Sequence, residues 1–456
     1  MPHHDSSERP YEDEGLAALS REQLREIQLT RLKKQVRYNY ENSIFYRRKF
    51  DAAGLEPGDI NTWDDFTKIP FMDKNEHRAA QDESLDRFGH PYGILACAPR
   101  EKIVRLSATS GTTGVPTLYT LTKNDIRVLN KLHARKYRRI GLQPGDVVIV
   151  AFALSMFAGG VPCVDALWDY GLCVAPVGAE ARTRRLLEFA ALTKPTVLFC
   201  TPSLAEHLAE QCEQTLGKPA RELGIRYLLC AGEPGAGIPE FKRRVEEMYG
   251  ARMYDMLGSV QTLHAISCGS AEYRGMHFLS EDYCILELLD PETGQKLDFA
   301  DGVTGEYVFT YLDWEGTPFL RYRMGDIMQV FTEPCPCGWP EMRLKLLGRT
   351  DDMLIVKGIN IYPSAIKNIL ERFAPRVTGA FRIVLDRPGH QITPPLRLKV
   401  EHGEGLEEHQ LAELKKEIEQ YMSETARVRP EITFIPPFTL DRSEHKTRYI
   451  EIETNN

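Results

Sequence analysis

Residues 147–164 read VVIVAFALSMFAGGVPCV, the longest apolar run in the chain, and what this run becomes decides the fold. Its length approaches that of a membrane-spanning helix, which needs about 20 predominantly apolar residues. Gly159, Gly160 and Pro162 interrupt it, however, and Asp146 and Asp165 bracket it closely. A buried strand, VVIVAF, entering a glycine-rich turn is the better reading. Between about residues 100 and 260, further short runs of the same kind, TVLFCT and YLLCAG, alternate with helical stretches such as RTRRLLEFAAL and PEFKRRVEEMY. Strands separated by helices predict an α/β fold with a mostly parallel, helix-covered sheet.

Upstream, EQLREIQLTRLKKQVRYNYENSIFYRRKF spaces apolar residues at helical intervals among many charges, which predicts an amphipathic helix on the outside of the main body. After Tyr283 the texture changes. CILELLDPETGQ, GEYVFTYL and IMQVF read as strands joined by Gly- and Pro-rich turns, a small antiparallel region or barrel. From LGRTDDMLIVKGINIYPSAIKNILERF onward, a strand pair leads into a helix. FRIVLD, PLRLKVEH, the amphipathic EEHQLAELKKEIEQYMSETA and a final strand, EITFIP, follow. The expected division is a large N-terminal domain over residues 1–349 and a small α+β C-terminal domain over 350–456.

The 456 residues are 42% hydrophobic with a net charge of −8, ordinary globular values whose mild acidity argues against a nucleic-acid partner. Ten cysteines are too few for a disulfide scaffold in so long a chain. The acidic start, PHHDSSERPYEDEG, does not read as a signal peptide, so reduced cysteines and a cytoplasmic location are expected, with no membrane partner.

Residues 107–117 read SATSGTTGVPT. Gly111 and Gly114 allow close backbone approach, the hydroxyls donate hydrogen bonds, and successive N–H groups can form an anion-binding hollow. A phosphate-bearing ligand is the chemical implication, set against an ordinary solvated loop. It is not a Walker loop: GxxxxGK[ST] requires a lysine where Val115 stands. GEPGAG, after IRYLLCA, has the wrong glycine order for a dinucleotide loop.

SATSGTTGVPT, CAGEP, MYDMLGSVQ, FLRYRMGD, LGRTDDMLIVKGINIYP and DRSEHK follow one another in that order. This series resembles the adenylate-forming superfamily of acyl- and aryl-CoA ligases. QLTRLKKQVRYNYENSIFYRRKFDAAGLEPGDI and GMHFLSEDYCILELLDPETG are similar to the phenylacetate-CoA ligase family in particular. The resemblance implies an ATP-dependent, AMP-forming ligase. It would adenylate an aromatic acid, phenylacetate- or substituted benzoate-like, with Mg²⁺ as cofactor, and pass the acyl group to the CoA thiol. It also implies that the C-terminal domain is mobile. Thr109, Ser110, Gly111, Thr112, Thr113 and Gly114 would hold the β- and γ-phosphates. Gly232, Glu233 and Pro234 would line the adenine, with Tyr254 and Asp255 on its other side. Asp326 would accept from the two ribose hydroxyls, and Arg349 would donate to ribose or phosphate. Lys446 would neutralise charge gathering on the α-phosphate and the attacking carboxylate, and Asp351 would be the hinge. Phe152, Phe157, Gly159 and Gly258 would line the acid pocket.

Cys335 and Cys337 in EPCPCGWP, with Cys268 and His277 flanking CGSAEYRGMH, could supply three sulfurs and one imidazole to a structural zinc. Buried free cysteines are the plain alternative. Four positions depart from the family pattern. Val115 replaces a lysine, Gln261 a glutamate that helps hold Mg²⁺, Val260 a hydroxyl residue, and His445 a glycine. These leave two rivals open: transfer of an amino- or hydroxybenzoate to an amine, hydroxyl or carrier thiol, and a nucleotide-binding regulator that has lost catalysis. Retention of Lys446, Asp326 and Arg349 speaks against the second. A homodimer is left open.

Overall fold

The computed structural model describes residues 19–453 except 109–115, 157–158, 260–261, 271, 351–352, 357–358, 387–388, 390 and 441–448. The run at 147–164 divides as its glycines suggest, into a strand, Val147–Val150, a turn, and a helix, Val161–Asp169, that starts at Gly160. No helix among the described residues is long and apolar enough to cross a membrane.

Five parallel strands lie side by side in the order Cys173–Pro176, Val147–Val150, Val197–Cys200, Tyr227–Cys230 and Arg252–Ser259. Helices Val161–Asp169, Arg182–Thr193, Pro202–Leu216 and Pro239–Tyr249 connect them. Val197–Cys200 is buried along its whole length, as a parallel strand covered on both faces should be. Two apolar clusters form around this half. One contains Leu186, Leu208, Phe241 and Val245, the other Tyr137, Val164, Leu167 and Phe199.

The antiparallel strands predicted after Tyr283 form no separate barrel. Arg252–Ser259 pairs antiparallel with Thr262–Ile266, and the same sheet runs on through Met276–Phe278, Arg343–Arg349, Tyr322–Phe331, Thr304–Tyr311 and Cys284–Leu289. The change from parallel to antiparallel pairing comes at Arg252–Ser259, so one sheet carries both textures. The N-terminal segment is two helices, Arg21–Asn42 and Ile44–Ala52, meeting at Ser43. Ser43 caps the second by accepting from the Tyr46 N–H, and its hydroxyl donates to the Ile94 carbonyl. Leu32, Val36 and Phe50 are fully buried against the antiparallel half, each contributing about 1.5–3 kcal/mol.

The C-terminal region has its own core, including Ile366, Leu398, Leu414 and Ile418. Its four-stranded sheet runs Pro430–Ile435, Leu396–His402, Val377–Leu385, Ile450–Ile452. Helices Pro363–Glu371 and Glu408–Thr425 belong to it. The sequence reading ended at EITFIP; the structure adds Ile450–Ile452, which pairs parallel with Val377–Leu385.

Candidate active site

The chain leaves Val147–Val150 toward Cys173–Pro176 on one side, then returns to Val197–Cys200 on the other. Such a reversal opens a crevice at the carboxyl ends of parallel strands, where ligands of open α/β sheets bind. Several of the residues singled out in the sequence meet at this edge. The Phe152 ring lies 4.8 Å from that of Phe199. Gly159 packs so closely on Phe152 that a Cβ there would sit 3.2 Å from the ring, and one on Gly232 would lie 3.8 Å from it. Glu233 accepts from the Ser203 N–H at 2.7 Å. That donor belongs to the first turn of Pro202–Leu216, the end of a helix that favours a negative group. Pro234 follows in the same loop.

Tyr254 and Asp255 are neighbours on one strand, so their side chains take opposite faces. Tyr254 is buried in the core with Tyr137 and Val150. The Asp255 carboxylate accepts from the Tyr273 hydroxyl at 2.5 Å, and a Cβ on Gly237 would come within 3.0 Å of it. Burial pushes Asp255 up to about 6, against the Tyr273 bond and the positive Lys345. Lys345 lies on Arg343–Arg349, four residues before Arg349, with a register shift of the strand between them.

Asp326 and Arg349 are register partners on adjacent antiparallel strands. Arg349 Nη1 donates to Asp326 Oδ1 at 2.6 Å and Nη2 to the Met324 carbonyl at 2.9 Å. The Tyr307 hydroxyl lies 3.5 Å from Asp326 Oδ2. Both side chains keep some exposure, 13% for Asp326 and 21% for Arg349, so a ligand can reach them. Thr350 N–H donates to the Gly325 carbonyl at 2.6 Å, fixing the chain just before residue 351.

The C-terminal region closes over this edge. Lys367 and Tyr449 are half-buried, and each feels the charge of Glu233. Burial raises the Tyr449 phenol, with Lys367 opposing and Glu233 reinforcing the rise. Tyr449 is three residues beyond Lys446. Lys446 itself, His445, Asp351, Phe157, Gln261, Val260 and the phosphate loop Thr109, Ser110, Gly111, Thr112, Thr113, Gly114 and Val115 lie outside the described residues.

Away from the crevice, the donor atoms of Cys268, His277, Cys335 and Cys337 all lie within 4.8 Å of one another. Cys268 Sγ is 3.7 Å from Cys335 Sγ, and Cys337 Sγ is 3.4 Å from His277 Nε2. Burial opposes ionisation of Cys268, but hydrogen bonding led by His277 outweighs it and brings the thiol down to about 6. His277 rises to about 9 against its own burial, through Cys268 and Glu341. Burial pushes Cys337 up to about 12. His277 Nδ1 and Glu341 Oε2 are buried, have no hydrogen-bond partner among the described residues, and face each other at 3.7 Å.

Glu341, Tyr273, Ser203, Lys367 and Tyr449 were not singled out from the sequence. Glu341 shares the EPCPCGWPEM stretch with two of the cysteines, which was its one available signal. The others act through contacts between distant segments and carried none.

Residues 58–310 match the AMP-binding enzyme family, and residues 358–451 match the AMP-binding enzyme C-terminal domain. The chain is 33% identical over 444 residues to the phenylacetate-coenzyme A ligase of Thermus thermophilus, covering 94% of this chain and 96% of that protein. It is also similar to 2-hydroxyisobutyryl-CoA ligase, at 29% identity. Against that ligase in the postadenylation state with R3-HIB-AMP, the TM-score is 0.84 over 95% of this chain and 90% of the other. Against the same ligase with 2-HIB-AMP and CoA in the thioesterification state, it falls to 0.67 over 96% and 91%. The chain as a whole thus superposes better on the postadenylation structure.

Proposed function

This chain belongs to the AMP-binding enzyme family and is an adenylate-forming acid–thiol ligase, and from that premise we propose that its acid is an aromatic carboxylate, phenylacetate- or substituted benzoate-like. The acid carboxylate attacks the α-phosphorus of ATP, forming an acyl-adenylate and releasing pyrophosphate. The CoA thiolate then attacks the acyl carbon and AMP leaves. The first step brings two anions together, so preorganised donors and cations must offset their repulsion.

The observation that carries the aryl reading is the crevice wall of Phe152 against Gly159 and Gly232. An aromatic ring packed on bare backbone gives the crevice an apolar wall suited to a flat apolar substituent. Phe157 and Gly258 complete the proposed pocket. In this reading the 109–114 loop holds the β- and γ-phosphates, and Gly232–Pro234 lines the adenine. Asp255 contributes through the Tyr273 and Lys345 side of the site, while Tyr254 supports the strand from the core face. Asp326 takes the ribose hydroxyls, with Arg349 holding its carboxylate. Lys446 reaches the α-phosphate, and the C-terminal region turns about Asp351, with the domain boundary at 349/350. Mg²⁺, when bound, supplies counter-charge to the phosphates. The reaction is placed in the cytoplasm, where ATP and CoA are available.

We also propose zinc at the cysteine–histidine cluster. Tetrahedral zinc, with Zn–S of about 2.3 Å and Zn–N of about 2.0–2.1 Å, spaces its sulfurs roughly 3.8 Å apart and sulfur from nitrogen about 3.5 Å. The spacings of 3.7 and 3.4 Å fit. Glu341 facing His277 Nδ1 suits an imidazole that presents Nε2 to a metal. With four protein ligands the ion would be structural, joining the 268 loop to the 335–337 turn.

Pyrophosphate release with a panel of aryl and aliphatic acids, first without and then with CoA, tests the substrate reading. Release that depends on an aryl acid, followed by CoA-dependent thioester, is the expected result. Turnover confined to aliphatic acids would overturn the aryl assignment.

A further inference from the structure

Lys136 lies in ARKYRR, on the helix Lys123–Arg139, where Arg135 is buried but paired with Asp282 and Arg138 is exposed. Lys136 instead turns inward and is 1% exposed. Among the described residues its ammonium has neither a hydrogen bond nor an ion pair. A buried cation without a counter-charge is expensive, and such groups normally coordinate an anion or acceptor. Burial draws Lys136 down to about 8, with Cys163 opposing, so the side chain is still mostly an ammonium at neutral pH.

Its place in the fold says what the acceptor is. A Cβ on Gly258 would sit 2.9 Å from Lys136 Nζ and 2.8 Å from His264 Nδ1, and φ at Gly258 is +153°. Only glycine suits that backbone and that proximity. Lys136 thus presses on bare backbone at the carboxyl end of Arg252–Ser259, the crevice edge. Cys163, on its other side, belongs to the helix that starts just after Gly159 and Gly160. Gly258 is one of the two glycines of the proposed acid pocket, so Lys136 lies at one end of it. Among the described residues, the histidines and the tyrosine here bring no negative charge. The His133 and His264 rings are 4.9 Å apart, burial holds His133 well below its usual range and so neutral, and the Tyr137 hydroxyl is 3.3 Å from His133 Nδ1.

We propose that Lys136 determines acid specificity by donating to an oxygen substituent, a ring hydroxyl or a second carboxylate, at the end of the acid remote from its reacting carboxyl. This rests on the aryl-acid reading above and narrows it. An unsubstituted ring would leave the ammonium facing carbon. An arylamine would offer it only a poor acceptor, since the amine lone pair is delocalised into the ring and the ammonium itself can only donate. Sites built to bond a substrate oxygen reject analogues lacking it by large factors.

The test is pyrophosphate release by the wild-type chain and by Lys136→Met, with benzoate, phenylacetate, hydroxybenzoates, benzenedicarboxylates and aminobenzoates. In the wild type, an oxygen-substituted acid should exceed its unsubstituted parent in kcat/KM by on the order of 10² or more. The hydroxyl and carboxylate arms tell which oxygen is recognised. Lys136→Met should remove that preference while leaving the unsubstituted acid unchanged or faster. If the variant does not fold, the wild-type ranking decides alone. Unsubstituted or amino-substituted acids used as well as oxygen-substituted ones would overturn the inference and leave the ligase intact. So would a folded variant that loses all acids equally. No pyrophosphate with any acid would instead break the ligase reading, and the inference with it.

Discussion

The cysteine–histidine cluster and the carboxyl-edge crevice stand on the same sheet but are assembled differently. The cluster draws its ligands from strands or turns that the sheet itself joins: Met276–Phe278 is hydrogen-bonded to both Thr262–Ile266 and Arg343–Arg349. Its donors already face each other within 4.8 Å. The crevice has one wall on the sheet and another on the C-terminal region, which reaches it through Lys367, Tyr449 and a few contacts such as Ser364 with the Leu347 carbonyl. A site that only has to hold is built on neighbouring strands. In the proposed mechanism, a site that serves two successive reactions would take its reactive group from a part able to leave. Nucleotide-binding groups should therefore matter in both half-reactions and groups on the C-terminal region in one.

Lys446→Ala offers the hardest test. Loss of one charged transition-state contact costs on the order of 10²–10³ in rate, so ATP–pyrophosphate exchange should fall by that much while thermal unfolding stays unchanged. Near-normal exchange would remove Lys446 from the mechanism and erase the contrast between the two walls.

Asp326→Ala should lower kcat/KM for ATP about 10- to 100-fold, the range for lost hydrogen bonds to a charged group. The acid's KM should move little, because Asp326 is assigned to the ribose. The substitution also strips Arg349 of its partner, so Asp326→Asn, which keeps the shape, should fall between. An equal loss in the KM values of both substrates would mean that the pair only holds the strands together.

On the other side of the comparison, purified protein should carry close to one zinc per chain. Chelation or Cys335→Ser should lower Tm by several degrees, because metal bound only by the folded state stabilises it, and leave the KM for ATP alone. Metal-free protein with unchanged Tm would make the four residues a buried polar cluster and nothing more.

What could be read from the sequence followed the range of the interactions involved. VVIV, VLFC and YLLC were legible because strands buried on both faces become continuous apolar runs. Pairing was not legible: nothing local says that Arg252–Ser259 meets Thr262–Ile266 antiparallel and so joins two textures in one sheet. Ile450–Ile452 is too short to show a period. At the site, Asp326 and Arg349 stood out through the resemblance of their motifs, and the structure makes them register partners. Lys136 and Lys367 could not stand out, since each sits among charges on a helix and only packing shows that it turns inward.

The smallest expected effect tests the docking itself. Arg244 on Pro239–Tyr249 donates to Glu206 at 2.7 Å and to Glu371, on the C-terminal helix Pro363–Glu371, at 2.9 Å. The Glu371 side chain is 1% exposed, and its Oε1 has no hydrogen-bond partner, with Lys367 Nζ 3.8 Å away. A Cβ on Gly379 would lie 2.4 Å from that oxygen, at a φ of +79° that also favours glycine, so space is kept for the carboxylate. Burial raises the pKa of Glu371, with Lys367 and Arg244 opposing. The pair therefore bridges the two regions, and the proposed rotation would separate it. Glu371→Gln keeps the volume and removes the charge, so it should weaken docking by about 1 kcal/mol, a factor of roughly five. ATP–pyrophosphate exchange should fall threefold to tenfold, while thioester formation from supplied acyl-adenylate is unchanged or faster. If both half-reactions drop together, the substitution has damaged the fold. If neither moves, other contacts hold the C-terminal region in place, and the distinction between a fixed wall and a departing one loses its charged latch.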